Sequence, residues 1–419
     1  VLALAGACVA PVTAASAGPA ALRATLNTWT AANPLTSALV WRLDPAGPVP
    51  ILAWRPDVAR APASTMKLVT SAGSLLALGP EFRFTTGLYA APGAVSARGV
   101  VRGPLYLRGQ GDPVLATPAY SRTFLGGRGT PLGLLGGRLK RAGVVAVRGP
   151  IVADEGFFDG ARGGPLWKSS YASECPPLSG LAVNQDTAGD RGWPNVGSPP
   201  IAAAQRMRRV LAAVGIRQRG ELVAGVTPAG TTPVAIVRSQ PLRVILRLMN
   251  PSSDNFIAET LAKDVGAYTE GRGTTAAGTA HTAAALRALG ILGSADRLVD
   301  GSGLSHSNRL SASTLVRLLT TAIQTRSWGV PLLNSLPRGG QGTLIRRFTS
   351  ASLRHRVRAK TGYINGTSAL AGVVTSTSGR RYAFAFLMST PNIWGARTAQ
   401  NAIVEMLAHG AGDGAAAVS

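Results

Sequence analysis

The sequence predicts an α+β protein in which two helix-containing parts are separated by a strand-rich insertion. Three observations carry this. Apolar residues at helical spacing follow Lys67 and recur after residues 255 and 311. Short apolar runs with tight turns at 39–54 and 357–387 read as antiparallel strands. Between them, from about residue 86 to 239, Gly and Pro interrupt short apolar runs and little long helix is expected. The 419 residues, 46% of them hydrophobic, suffice for a sizeable core and more than one domain. The expected division is a module of 18–85 and 240–408, an insertion of 86–239 and a disordered tail of 409–419.

Val1 to Ala17 carries no charge and is rich in Ala, Val and Leu, and Ala15-Ser16-Ala17 matches a small-x-small cleavage site. This reads as the end of a secretory signal. Cys8, after Ala5-Gly6-Ala7, offers the alternative of a lipoprotein-type site. Cleavage after Ala17 would leave only Cys175, so neither an internal disulfide nor a cysteine zinc site is expected. The net charge of +24 suggests an anionic neighbour. The arginines are scattered and aromatics make up only 5%, so a wall or membrane surface fits better than nucleic acid.

Leu39–Leu43 and Ile51–Trp54 flank Asp44-Pro45-Ala46-Gly47-Pro48, a strand-turn-strand signal. The second strand leads to Ala63-Ser64-Thr65-Met66-Lys67 and then to Leu68, Val69, Ala72, Leu75 and Leu76, with Gly79-Pro80 as the stop. On a helix, Ser64 and Lys67 share a face. A serine hydroxyl needs a base, and a lysine can be that base if its surroundings lower its pKa. Only five of the 43 Lys+Arg residues are lysines: Lys67, Lys140, Lys168, Lys263 and Lys360. Arginine stays charged, so a retained lysine is a better candidate for proton transfer than usual.

Within the insertion, Leu132–Leu139 reads as one short helix. Gly109-Gln110-Gly111-Asp112-Pro113 is a tight turn that lacks the spacing of a phosphate loop. Beyond it, Leu242–Met249 reads as a helix broken by Asn250-Pro251. Ser252-Ser253-Asp254-Asn255 opens the next helix, either as a plain cap or with Ser253 and Asn255 set into a cleft. Asp300 to Ser305 is a glycine turn before a helix near Ser311–Gln324. Val357 to Gly362 alternates as a strand ending in Lys360-Thr361-Gly362, where glycine would let a ligand lie close along the edge. Ala369–Thr375 and Arg381–Leu387 complete a meander, and a last helix runs from Asn401 to Ala408.

Ser-x-x-Lys at 64–67, Ser-Asp-Asn at 253–255 and Lys-Thr-Gly at 360–362 form the triplet of penicillin-binding proteins and serine β-lactamases. With the long insertion, Gly109–Pro113, Asp300–Ser305 and Gly342-Thr343-Leu344, the chain resembles the D-alanyl-D-alanine carboxypeptidase/endopeptidase family, the class C low-molecular-mass penicillin-binding proteins. The resemblance spans about residues 22 to 408. It implies an antiparallel sheet covered by helices, split by the insertion, and a serine peptidase acting on peptidoglycan stem peptides with no cofactor or metal. It implies Ser64 as the acylated nucleophile, Lys67 as its base, Ser253 as proton relay and Asn255 on the acyl side. Lys360 would keep the cleft positive and Thr361 would bind the terminal carboxylate. Gly362, Tyr363 and Asn365 would line the substrate, and the N–H groups of Ser64 and Tyr363 would form the oxyanion hole. β-Lactams would acylate Ser64 as slow-leaving inhibitors.

Relatives that cut diaminopimelate-containing stems often carry an aspartate before a Pro-Pro pair and an arginine after the Gly-Ser-Gly-Leu-Ser turn. Here, counting back from Pro176-Pro177, Lys168 and His306 take those places. The resemblance then implies a pocket that disfavours a free side-chain amine. The insertion is also shorter than usual, implying a reduced second subdomain. A β-lactamase would need a deacylation base, and Glu259 and Glu270 are the only glutamates between the second and third motifs. A Ser-His-Asp hydrolase lacks its nucleophile elbow, and a non-catalytic wall binder would not need both Ser64 and Lys67.

Overall fold

The computed structural model describes residues 18–418 except 190, 191 and 193. The signal-like segment and Cys8 lie outside the described residues. At the centre is a five-stranded antiparallel sheet of β1 (Thr36–Asp44), β2 (Gly47–Trp54), β3 (Val357–Ile364), β4 (Thr367–Thr375) and β5 (Arg381–Ser389). The spatial order is β3-β4-β5-β1-β2. β1 pairs with β5, Thr36 opposite Met388 and Arg42 opposite Tyr382, so the early hairpin and the late meander become one sheet. β3 is left as an edge.

Strand periodicity decides what each face holds. On β5, Tyr382, Phe384, Phe386 and Met388 point to one side, and Ala383, Ala385 and Leu387 to the other. The large face packs on helices α1 (Pro19–Ala32) and, at the far end of the chain, Ile393–Ala408, through Leu22, Leu26, Ile403, Val404 and Leu407. The alanine face lets α4 (Ala312–Gln324) come close, while α2 (Met66–Leu78) meets the sheet at β3 and α3 (Asn255–Glu270) packs on α2, with Leu68, Val69, Leu261, Leu315 and Leu319 in this core. Each such fully buried aliphatic side chain contributes about 1.5–3 kcal/mol relative to exposure. The final helix is α5 (Ile393–Ala408). The expected α+β architecture, an antiparallel sheet covered by helices, is the observed one.

The region between α2 and α3 has its own core of Leu88, Leu105, Leu107, Ile151, Leu211 and Val237. Its five-stranded sheet is mixed, with Leu105–Gly109 and Ile151–Asp154 parallel. The sequence suggested little long helix here, but Pro199–Ala213 is a 15-residue helix. Its two prolines sit in the first turn, where no N–H partner is lost. Ala203, Ala204, Met207 and Leu211 form its buried stripe.

Three further expectations are corrected. Pro251 does not end its helix, which runs Leu242–Ser252. α5 starts at Ile393, where the Asn392 side chain accepts from Gly395 N at 2.9 Å. Residues 409–418 are packed rather than disordered. The Arg42 guanidinium donates to Ala415 O at 2.8 Å, the Tyr382 hydroxyl donates to Asp413, and Ala411 and Ala415 are buried. Partners on β1 and β5 supply what this small-residue tail lacks by itself. No helix among the described residues is long and apolar enough to cross a membrane.

Candidate active site

Ser64 sits in a 3-10 turn, Ala63–Thr65, that feeds directly into α2. The turn is tightly held. Ala63 has φ +47°, uncommon for a residue with a side chain. The Thr65 hydroxyl donates to Pro62 O at 2.7 Å. Two glycines close over it. A Cβ on Gly303 would lie 1.9 Å from Ala63 O, and one on Gly362 would lie 2.8 Å from Pro62 O. Gly362 therefore lets β3 approach the nucleophile's own turn.

Lys67 is 0% exposed, and its Nζ donates to Ser64 Oγ at 3.1 Å, Asn255 Oδ1 at 2.7 Å and Ser302 O at 2.8 Å. Burial lowers its pKa to about 8, against the opposing pull of Glu259 and Asp300. Glu259 Oε1 accepts from the N–H groups of Gly301 (3.1 Å) and Ser302 (2.7 Å). The Ser302 backbone thus lies between the two, its N–H toward the carboxylate and its C=O toward the amine. Burial, followed by the neighbouring Asp300, raises Glu259 to about 8. Asp300 accepts from Gly303 N, Ser305 N, Asn308 Nδ2 and Trp167 Nε1 at 2.6–2.9 Å, which fixes the glycine turn beneath Lys67.

Lys360, on β3, is also 0% exposed, and its Nζ donates to Ser253 Oγ at 2.9 Å. Burial, reinforced by Lys67, pushes its pKa well below the usual lysine range. Ser253 has φ +60° between two helices, while Asp254 caps α3 by accepting from Ile257 N at 2.8 Å. Asp254 thus makes the cap, while Ser253 lines the cleft and Asn255 turns its side chain to Lys67 and Glu174. Ser64, Ser253, Thr361, Gly362 and Tyr363 line one cleft of about 530 Å³.

The family model of D-Ala-D-Ala carboxypeptidase 3 (S13) matches residues 48–192 and 178–410. The chain belongs to this family. Carboxypeptidase DacB of Mycolicibacterium smegmatis is 32% identical over 366 residues, 84% of this chain and 75% of that protein. The D-alanyl-D-alanine carboxypeptidase of Actinomadura sp. strain R39 is 27% identical over 398 residues, 76% and 71% of the two chains. The crystal structure of penicillin binding protein 4 (dacB) from Haemophilus influenzae matches with a TM-score of 0.75 at 22% identity, covering 90% of this chain and 99% of that one. That last likeness shows the fold.

The remaining expected residues of this S13 peptidase lie away from the cleft lining. Lys168 is exposed just before the 3-10 turn Ser169–Glu174. Tyr171 in that turn stacks on His306, and its hydroxyl is 2.9 Å from His306 Nε2. Burial, with Lys168 and Arg309 nearby, lowers the His306 pKa. Asn365 is an exposed turn residue whose backbone N–H, not its side chain, donates to Tyr171 Oη at 3.3 Å. Asn255 Nδ2 donates to Glu174 O at 2.9 Å, so this turn also anchors the Asn255 side chain. Among the described residues no cluster could hold a metal.

Several site groups of the S13 peptidase escaped sequence reasoning. Tyr171 and Trp167 lie in a loop with no periodicity. Arg346, Arg347, Trp394 and Arg397 line the cleft but resemble ordinary surface residues in so arginine-rich a chain. Glu259 is held behind Lys67, and Glu270 pairs outward with His281 at 3.0 Å, so neither glutamate lines the cleft.

Proposed function

We propose that the chain is a serine-type D-Ala-D-Ala carboxypeptidase/endopeptidase that cuts peptidoglycan stem peptides through an acyl-enzyme on Ser64. The observation that carries this reading is the buried Lys67 amine, its pKa near 8, at 3.1 Å from Ser64 Oγ.

Neutral Lys67 takes the Ser64 proton as Oγ bonds to the carbonyl carbon of the penultimate residue. The C–N bond breaks, and the departing amine receives a proton through Ser253, which Lys360 orients. Water then attacks the ester and returns Ser64 to its hydroxyl form. Charge developing on the carbonyl oxygen is met by the N–H groups of Ser64 and Tyr363. Strand alternation supports the second donor. Val357 O and Ala359 N already point off the edge of β3, to Gly339 N and Pro337 O at 3.2 Å. Period two sends the Thr361 and Tyr363 N–H groups the same way, over the cleft. Thr361 is placed for the terminal carboxylate, and Asn255 for the acyl-side amide.

On the acyl side, Lys168 and a His306 held neutral by burial offer no carboxylate to a free amine. A stem whose third residue has a blocked or acidic side chain is the preferred donor. Cleavage of stems with free and blocked amines compares the two directly, and a strong preference for the free amine would reject this. The net charge of +24 fits an exported enzyme held at an anionic wall or membrane surface.

Labelling by a fluorescent penicillin, with D-alanine release from a stem pentapeptide, tests the whole reading. Wild type should give a stable adduct and product, and Ser64→Ala neither. Rapid turnover of the penicillin would instead favour a β-lactamase.

A further inference from the structure

We propose that the cleft beside Thr361 contains a cationic subsite, built by Arg346, Arg347 and Arg397, that binds carboxylate groups on the leaving strand of the substrate beyond the terminal one. This rests on the peptidase reading above and specifies which substrates that site prefers.

The direction of the cleft comes first. Ser253 and Thr361 line it, whereas Asn255, Lys168 and His306 do not. It is therefore the side on which the amine departs. At about 530 Å³ it falls in the range of pockets for drug-sized ligands, far more room than one alanine needs.

Its charge is one-sided. Three arginines line it, and no aspartate or glutamate does. Among the described residues, no ion pair involves Arg346, Arg347 or Arg397. Arg347 is held by neutral amides, Asn401 Oδ1 at 2.7 Å and Gln400 Oε1 at 3.1 Å, with Glu405 in its field but outside the cleft lining and not ion-paired to it. Neutral partners orient a guanidinium without discharging it, and two more cations stand in the same cleft. Scattered arginine would be the ordinary condition of this chain, but these three converge from two segments far apart in sequence.

The rim is apolar. Trp394 is 80% exposed, Ile345 63% and Tyr363 52%, all on this cleft. The Arg397 guanidinium lies over the Tyr363 ring, 5.5 Å from its centroid. Large apolar side chains gathered at one mouth mark a contact surface. A peptide strand bearing carboxylates meets both features, with guanidinium groups pairing the acids and Trp394 covering the backbone. A lone D-alanine has one carboxylate, which Thr361 can take.

The test uses three donors with an identical acyl half. Their leaving groups are D-alanine, a D-amino-acid peptide with an additional free carboxylate, and the same peptide with that carboxylate amidated. Wild type should cut the free-acid peptide with kcat/KM about tenfold or more above the amide. Arg397→Gln and Arg346→Gln should each shrink this ratio, and the double variant should bring it near one. Arg397→Lys should retain part of it. Equal rates for acid and amide in wild type, or an unchanged ratio in the double variant, would overturn the subsite. Penicillin labelling of Ser64 involves no extended leaving strand and separates the two claims. An enzyme labelled at Ser64 but indifferent to the extra carboxylate loses only the subsite, whereas one that is never labelled loses the peptidase reading itself.

Discussion

At the floor of the cleft Lys67 and Lys360 are wholly buried, each within hydrogen-bonding distance of a serine hydroxyl. On its wall Arg346 and Arg397 stand exposed, with no acid lining the same space. Both regions are built from basic side chains, but burial acts on them differently. It makes an ammonium easier to deprotonate, so the floor can exchange a proton. A guanidinium keeps its charge through such changes, so the wall can only attract. Lys67 and Lys360, buried beneath Ser64 and Ser253, are thus not interchangeable with the arginines of the chain.

The largest effect is expected from erasing that difference. Lys67→Arg retains a cation but removes the base, and acylation by penicillin should fall by about 10²–10⁴-fold. Stopped-flow labelling measures it, and near-normal acylation would show that charge alone suffices at the floor.

The next is the pH dependence. Below about 8 Lys67 is protonated and cannot accept the Ser64 proton, so the acylation rate should rise with pH through about 8 and level above it. The same shift bears on stability. The unfolded lysine holds its proton up to the ordinary value of 10.5, whereas the folded one releases it near 8. Between those values the unfolded state binds more protons, so stability should increase with pH there. In Lys67→Met that contribution should vanish from urea titrations run across this window.

A smaller effect is expected from Gly303→Ala. The position has φ +88°, and the new methyl would meet Ala63 O. Destabilisation of about 1–3 kcal/mol is expected from the backbone conformation alone. Thermal unfolding reads this, and slower acylation than in wild type would show that the Ser64 turn had moved with it. The smallest effect lies away from both regions. Asp413→Ala removes the acceptor of the Tyr382 hydroxyl and should lower stability by about 1 kcal/mol while Ser64 labelling stays at the wild-type rate.

Legibility followed the range of the physical cause. The α2 and β3 segments were readable because their apolar spacing is local, and β3 became an edge as its alternating pattern and terminal glycine suggested. Pro199–Ala213 was missed because the Gly- and Pro-rich texture of 86–239 hid a helix that opens on two prolines. The packed tail could not be read at all, since Arg42 and Tyr382, which hold it, are remote in sequence. Likewise Lys168 and His306 could be placed by likeness to relatives, yet Tyr171, which links His306 to Asn365, carries no motif.

By itself the sequence determined which residues can share a face: Ser64 with Lys67 on one turn, and Lys360 beside Thr361 on an alternating strand. Spacing along a regular backbone is enough for that. Only the tertiary structure decided that Lys67 is buried, that the Ser302 backbone stands between it and Glu259, and that arginines from two distant segments face the same space. Solvent exclusion and the summed field of neighbouring charges come from packing between remote parts of the chain, and no local pattern encodes them.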